Sequence, residues 1–281
     1  MNNQKRFLLL IFILALIGFF TACQDIDIDN DDSKNWIAVK ERGFIGFVDQ
    51  RGKRQIRTEF AAGRDFSEEM AGVNIGADDG DRGFPLKGKW GFINKRGEIL
   101  INPVYNSPAN GILPYRFRDY GKLLQDGYQF SEGLAAIQSG DSWKYISKEG
   151  DVEISYAKVA VDVDLKQHSI LAARRFQNGV AAVQLKNGWG FINRKGMIIV
   201  PGKYAFAYDE RDGFLMTADR DGTMHCFNKK GENIFTQRRM ASPFSGGMAA
   251  VIHGFKNTAE SSPANQLELM DKIGRFTASP E

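Results

Sequence analysis

Cysteine is nearly absent from this chain: Cys23 and Cys226 are the only two in 281 residues. At most one disulfide can form, so the fold has to rest on its apolar core rather than on a cross-linked framework. Histidine is equally scarce. His168, His225 and His253 share no ligand-like spacing with one another or with Cys226, which argues against a zinc centre. The motifs H-E-x-x-H, C-x-x-C and G-x-S-x-G are missing as well. The formal charge is +3 with the basic residues dispersed and no Lys/Arg block, so nucleic acid is not an expected partner. The apolar run from Phe7 to Phe20 is shorter than the roughly 20 residues a membrane-spanning helix needs.

That run is nevertheless informative. Lys5 and Arg6 precede it, and Thr21, Ala22 and Cys23 follow, the order of basic, apolar and small-residue regions found in an export signal. "FTAC" resembles the lipobox of bacterial lipoproteins, with Phe20 where that family usually has Leu. The resemblance implies a signal peptide over residues 1–22 and a lipid on Cys23. More than one acyl chain makes attachment to a membrane effectively permanent, at about 0.8 kcal/mol per buried methylene. A lipidated Cys23 also leaves Cys226 without a disulfide partner. The following stretch, residues 23–35, carries Asp25, Asp27, Asp29, Asp31 and Asp32, whose mutual repulsion predicts an extended solvated tether. A plain spacer and a surface-export tag both fit, since some Gram-negative lipoproteins bear a similar acidic run. A calcium loop fits less well, because Asn30 and Trp36 stand where the turn glycine and closing glutamate belong.

From residue 36 to 281 the chain repeats itself. "GFINKRGEILINPVY" from Gly91 returns as "GFINRKGMIIVPGKY" from Gly190, with fainter copies ending at Gly52, Gly150, Gly231 and Gly274. A second signature precedes most copies: "FSEEMAGV" from Phe66, "FSEGLAAI" from Phe130, "FQNGVAAV" from Phe176 and "FSGGMAAV" from Phe244, with "YDERDGFLM" in the same slot. Asn or Asp followed three residues later by Gly predicts a tight turn whose side chain bonds the backbone ahead and whose glycine takes a positive φ. Residues two apart on the preceding strand share a face. The pairs Ile45/Phe47, Trp90/Phe92, Trp143/Tyr145, Trp189/Phe191, Met224/Cys226 and Leu267/Leu269 therefore predict a shared core column. After each turn a short β-rich run is expected to end at proline. Each unit thus reads as about three antiparallel strands, and stacking is what would stabilise them. The expected fold is all-β: tandem antiparallel meander repeats, about six degenerate units, in a solenoid-like or propeller-like array.

The recurrent Trp-Gly-Phe-Ile-Asn, alternating with Phe-Ser-Glu-Gly-Leu-Ala, resembles the WG-repeat family of bacterial β-repeat proteins over roughly Trp36 to Phe276. The resemblance implies an extracytoplasmic or interaction module and carries over no catalytic residue. Individual candidates give the same answer. Cys226 beside His225 aligns with the core positions Phe92 and Phe191, which suits a buried small hydrophobe. Glu68, Glu69, Asp78, Asp79 and Asp81 offer carboxylates for glycoside hydrolysis, but Glu68 recurs as Glu132 and the acidic loop is made of turn formers. That loop is also a weak calcium candidate. Trp90, Trp143 and Trp189 suit sugar stacking less than core packing. The extra segment from Asn106 to Gln129 is the best binding-loop candidate, through Tyr115, Arg116, Arg118 and Tyr120.

The expected protein is a lipoprotein of the outer membrane, exposed at the cell surface or facing the periplasm. It would act as a non-enzymatic binding scaffold for a protein or a glycan, without cofactor or metal. A carboxylate-based envelope hydrolase and a purely structural envelope component are the alternatives.

Overall fold

Turn chemistry sets the local structure. The amides of Gly52, Gly97, Gly150, Gly196 and Gly231 donate to the carbonyls of Asp49, Asn94, Ser147, Asn193 and Asn228 at 2.9–3.1 Å. Within the turns, Asn193 Oδ1 accepts from the amides of Lys195 and Met197, and Asn94 and Asn228 repeat the pattern. Ser147 Oγ accepts from the Glu149 amide alone, at 3.2 Å. The computed structural model describes residues 36–76, 88–107, 127–161, 164–238, 244, 246–253 and 266–271, all within one compact unit, Lys34–Glu281.

Among the described residues there is no helix, and every named strand pairing is antiparallel. The first unit is a three-stranded sheet of β1 (Ile37–Glu41), β2 (Phe44–Val48) and β3 (Arg54–Phe60). Four-stranded meanders follow: β4 (Ala62–Gly63), β5 (Met70–Ile75), β6 (Lys89–Asn94) and β7 (Ile99–Asn106), then β8 (Phe130–Ser131), β9 (Leu134–Ser139), β10 (Ser142–Ile146) and β11 (Val152–Ile154). A two-stranded hairpin, β12 (Tyr156–Val161) and β13 (Asp164–Ser169), interrupts the series. The fourth unit is β14 (Ala172–Ala173), β15 (Val180–Leu185), β16 (Gly188–Asn193) and β17 (Ile198–Tyr204). The fifth is β18 (Phe206–Ala207), β19 (Phe214–Ala218), β20 (Thr223–Asn228) and β21 (Asn233–Arg238), and β22 (Met248–His253) pairs with β23 (Gln266–Asp271) in the sixth.

Two features differ from the sequence reading. Complete units have four strands rather than three, because a two-residue strand such as Ala172–Ala173 pairs with Gln184 and Val183 ahead of the signature turn. Proline does not end the strand after the turn either: β7 runs past Pro103 and β17 past Pro201. Both strands lie at the edge of their sheets and bulge at this point, so the missing N–H breaks no ladder bond.

The same bulge explains the glycine between the paired core residues. A methyl group on Gly91 would lie 2.5 Å from Ile101 O, and one on Gly190 would lie 2.3 Å from Val200 O. Where His225 replaces that glycine, β20 keeps a regular pair with Thr236 and the additional register shift disappears. Steric room at one position thus decides the path of the outer strand.

Stacking of the units forms the core. Phe47, Trp90, Phe92, Trp143, Tyr145, Trp189, Phe191, Met224 and Cys226 are buried, as the alternation predicts; Ile45 is only half-buried, and the side chains of Leu267 and Leu269 lie outside the described residues. Each signature phenylalanine inserts against the aromatic of the unit before it: Phe66 on Phe47 at 5.0 Å, Phe130 on Phe92 at 4.8 Å, Phe176 on Tyr145 at 4.8 Å. Burying one such ring stabilises the fold by about 1.5–3 kcal/mol, so each interface between units outweighs any single turn.

A candidate binding groove

The signature turns lie at one end of the units and are joined from unit to unit by side chains. Glu68 accepts from the Gly133 amide at 3.0 Å, Glu132 from Gly179 at 3.0 Å, and Asp212 from Gly247 at 2.8 Å. In the fourth unit Asn178 donates to Glu210 at 2.6 Å, and Glu210 accepts from Gly213 at 2.7 Å. Cations of the turns that close at Gly150, Gly196 and Gly231 secure the same joints: Lys148 donates to Glu68 O at 3.0 Å, Arg194 to Glu132 O at 2.6 Å, and Lys229 to Asn178 O at 3.0 Å. The carboxylates singled out for hydrolysis, Glu68 and its counterpart Glu132, are thus engaged in joining units, while Glu69 pairs with Lys95 at 3.0 Å. Asp78, Asp79 and Asp81 lie outside the described residues.

The other candidates fall in different places. Cys226 is fully buried with Met216, Met224 and Phe244, and burial pushes its thiol up to about 12. His225 is held between Asp219 (Nε2 to Oδ2, 2.7 Å) and Thr236 (Nδ1 to Oγ1, 3.1 Å), with its ring against Tyr204 at 5.0 Å. Trp90, Trp143 and Trp189 are core residues; Trp90 stacks on Tyr128 at 4.6 Å, and the buried Arg174 guanidinium lies 5.9 Å above Trp189 while pairing with Asp209 at 2.8 Å. Half-buried Trp36 packs edge-on against Phe66 at 5.4 Å. Cys23, Tyr115, Arg116, Arg118 and Tyr120 lie outside the described residues. The flanks of the predicted binding loop are described. Ser107, on one side, accepts from the Asn74 amide at 3.0 Å and the Trp90 indole at 3.2 Å. Tyr128, on the other, donates to Asn106 O.

Sequence reasoning missed the hairpin β12–β13 and the groove beside it. Lys158 N donates to Gly196 O at 2.7 Å, which fastens the hairpin to the turn of the fourth unit. Between the hairpin and that unit is a groove of about 340 Å³. Its floor is Leu185, Ile198, Ile199 and Pro201, and its polar rim is His168 of β13, Lys186 and Asn187 of the β15–β16 turn, and Lys203 of β17. Glycine shapes the wall: a methyl group on Gly202 would lie 2.8 Å from Leu185 Cδ1 and 3.0 Å from Gly188 O, so glycine lets β17 approach the β15–β16 turn without displacing the Leu185 side chain. No lining residue is acidic, and neither Lys186 nor Lys203 forms an ion pair with a described carboxylate. The Lys203 ammonium lies over the Tyr204 ring at 5.3 Å. A groove with an aliphatic floor and an uncompensated cationic rim attracts an anion that carries an apolar body. In the second unit Val104 and Ile75 occupy the positions of Lys203 and Leu185, so the rim is not a property of the repeat. The sequence signals that hint at this place are the alternating "KVAVDVDLKQH" of the hairpin and two lysines that break the repeat, none of which points to a groove alone.

The family model described as WG containing repeat matches residues 90–107 and 189–216, the first along β6 and β7 and the second from β16 into β19. Similar solved structures include the computationally designed Ika8 protein, at 11% identity over 85% of this chain and 71% of that one, with a TM-score of 0.45. BamB from Moraxella catarrhalis is similar at 13% identity over 51% of this chain and 45% of that one, with a TM-score of 0.32. No curated protein matches in sequence.

Proposed function

We propose that this protein is a non-enzymatic interaction scaffold of the bacterial cell envelope, held by a lipid on Cys23 and presenting its β-repeat array to a protein or glycan partner. One observation carries the reading. Side chains that recur with the repeat are used in building it: aromatics in the core, Glu68 and Glu132 in the joints, asparagines in the turns. Partner-specific chemistry is then left to the departures from the repeat, and the basic groove beside the β12–β13 hairpin is one such departure that forms a cavity. The lipobox-like "FTAC" and the acidic residues after it support an outer-membrane anchor and a tether that holds the array away from the bilayer.

The test is site-specific photocrosslinking in intact cells. A photoreactive residue at Asn187, on the groove rim, is expected to capture a defined partner, while one at Arg96, in a turn at the opposite end of the second unit, is not. Equal capture from both positions, or none from Asn187, would remove the groove from the function. External protease on the same cells, with Cys23→Ala and lysed cells as controls, tests the location. Loss of the protein before lysis is expected for surface display, and protection until lysis would put the partner in the periplasm.

A further inference from the structure

The groove is specific enough to name a ligand. Resting on the scaffold reading above, we infer that it binds the C-terminal carboxylate of a peptide ending in an aliphatic residue.

Three features narrow the chemistry. The first is charge. Lys186 and Lys203 are both exposed, with His168 beside them and no described carboxylate paired to either lysine, so the rim favours an anion. Asp219, the acid near Tyr204, is already bonded to His225 at 2.7 Å. The second is the floor. Leu185, Ile198, Ile199 and Pro201 are aliphatic, and Asn187 is the one side-chain amide of the lining. A sugar acid would leave its hydroxyls facing these groups without partners, whereas a Leu, Ile or Val side chain buries apolar area on them. Inorganic phosphate would satisfy the cations and leave the floor wet. The third is the backbone. β17 is the edge strand of its sheet; the hairpin and the fifth-unit turn cover its start, through Lys158 N on Gly196 O at 2.7 Å and Gly231 against Ile199 O, so an extended peptide can add only along the stretch towards Lys203, with its terminal carboxylate held by cations at that end. A volume of about 340 Å³ sits at the small end of ligand sites, enough for a terminal residue and its carboxylate rather than a long chain.

The arrangement assigns roles. Lys186, from the β15–β16 turn, and Lys203, from β17, hold the carboxylate, and His168 donates from the hairpin side. Ile198 and Ile199 set the preference for an aliphatic last residue. Gly202 keeps the groove at its width.

The experiment uses full-length protein in detergent and fluorescent N-acyl-Ala-Ala-Val-Leu, as the free acid and as the C-terminal amide, followed by fluorescence polarisation. The acid is expected to bind at least tenfold more tightly than the amide, and to weaken at least tenfold in Lys186→Met with Lys203→Met. Both lysines are exposed, so thermal unfolding of the double variant should be unchanged. Equal binding of acid and amide, unaltered binding by the double variant, or displacement by inorganic phosphate or N-acetylneuraminic acid at peptide concentrations would overturn the inference. No binding by either peptide would overturn it too. In each of those cases a partner crosslinked from Asn187 would leave the groove's part in the scaffold reading standing, and its absence would remove the groove from the function altogether.

Discussion

The carboxylate of Glu132 accepts the backbone N–H of Gly179, one unit further along the chain, with its two oxygens at 3.0 and 3.3 Å. Glu68 holds Gly133 in the same way at 3.0 and 3.2 Å. A side chain fixed by the repeat thus acts between units rather than within one, which makes the joint a property of the array. Glu132→Ala should destabilise the protein by about 1–2 kcal/mol, the range for a charge-assisted hydrogen bond discounted for a group partly open to water. Glu132→Gln, which keeps an acceptor oxygen, should lose less. Urea denaturation followed by tryptophan fluorescence measures both, and an unchanged midpoint in the alanine variant would mean that water replaces the joint at no cost.

The closing glycines give a second measure of stacking. Gly52 and Gly231 both have positive φ, 76° and 84°, so alanine at either position carries the left-handed strain of about 1 kcal/mol. Only Gly231 lies against a neighbour, where a methyl group would sit 2.0 Å from Ile199 O in the preceding unit; Gly52 has nothing within 4 Å. Gly231→Ala should therefore lower the melting temperature clearly more than Gly52→Ala. Equal losses would show that the turn of the fifth unit does not rest on the outer strand of the fourth.

These two relationships mark what was legible in the sequence. Asn193 and Gly196 announce their turn because all the partners lie within four residues, and the alternation of Trp189 and Phe191 announces the core because its period is local. The recurrence of Glu68 as Glu132 was visible too, but its partners Gly133 and Gly179 belong to the next unit, so only the structural role was legible and not the contact. Ala172–Ala173 was missed because two residues carry no period. Pro201 was misread because an edge position depends on which strands lie alongside. The groove combines His168, Lys186 and Lys203 from three separate segments, and nothing in their spacing joins them before the hairpin folds back.

The first turn carries a pH-sensitive bond. Burial pushes the Asp49 carboxyl up, but the Lys53 amide (2.9 Å), the Gln55 side chain (2.8 Å) and the Arg51 amide (2.9 Å) outweigh it and hold the group below its ordinary value. Because the folded pKa lies below the unfolded one, this contribution is complete above the unfolded value of about 3.9 and is lost as pH falls through the folded one. Asparagine already serves at the matching positions Asn94, Asn193 and Asn228 with the same amide bonds. Asp49→Asn should therefore leave stability near neutral pH almost unchanged and flatten its decline below about pH 4. Melting temperatures of the two proteins between neutral and strongly acidic pH make the comparison, and parallel curves would assign the acid sensitivity to other carboxylates.

Cys226 provides a probe of the fold that needs no function. Its side chain is fully buried between the fifth and sixth units, with Met224 and Phe244 in the same cluster, and burial pushes the thiol up to about 12. An ordinary cysteine titrates near 8.5, so at pH 8.5 the native thiolate fraction, and with it the alkylation rate, should be far below that of an exposed cysteine. In a Cys23→Ala chain, iodoacetamide should leave the native protein unlabelled over hours and label it at the rate of a free thiol in urea. The urea concentration at which labelling accelerates then reports the opening of the last joint. If that point coincides with the global fluorescence transition, the array unfolds as one cooperative unit; if labelling begins at lower urea, the Asp212–Gly247 joint opens first and the sixth unit frays from the end.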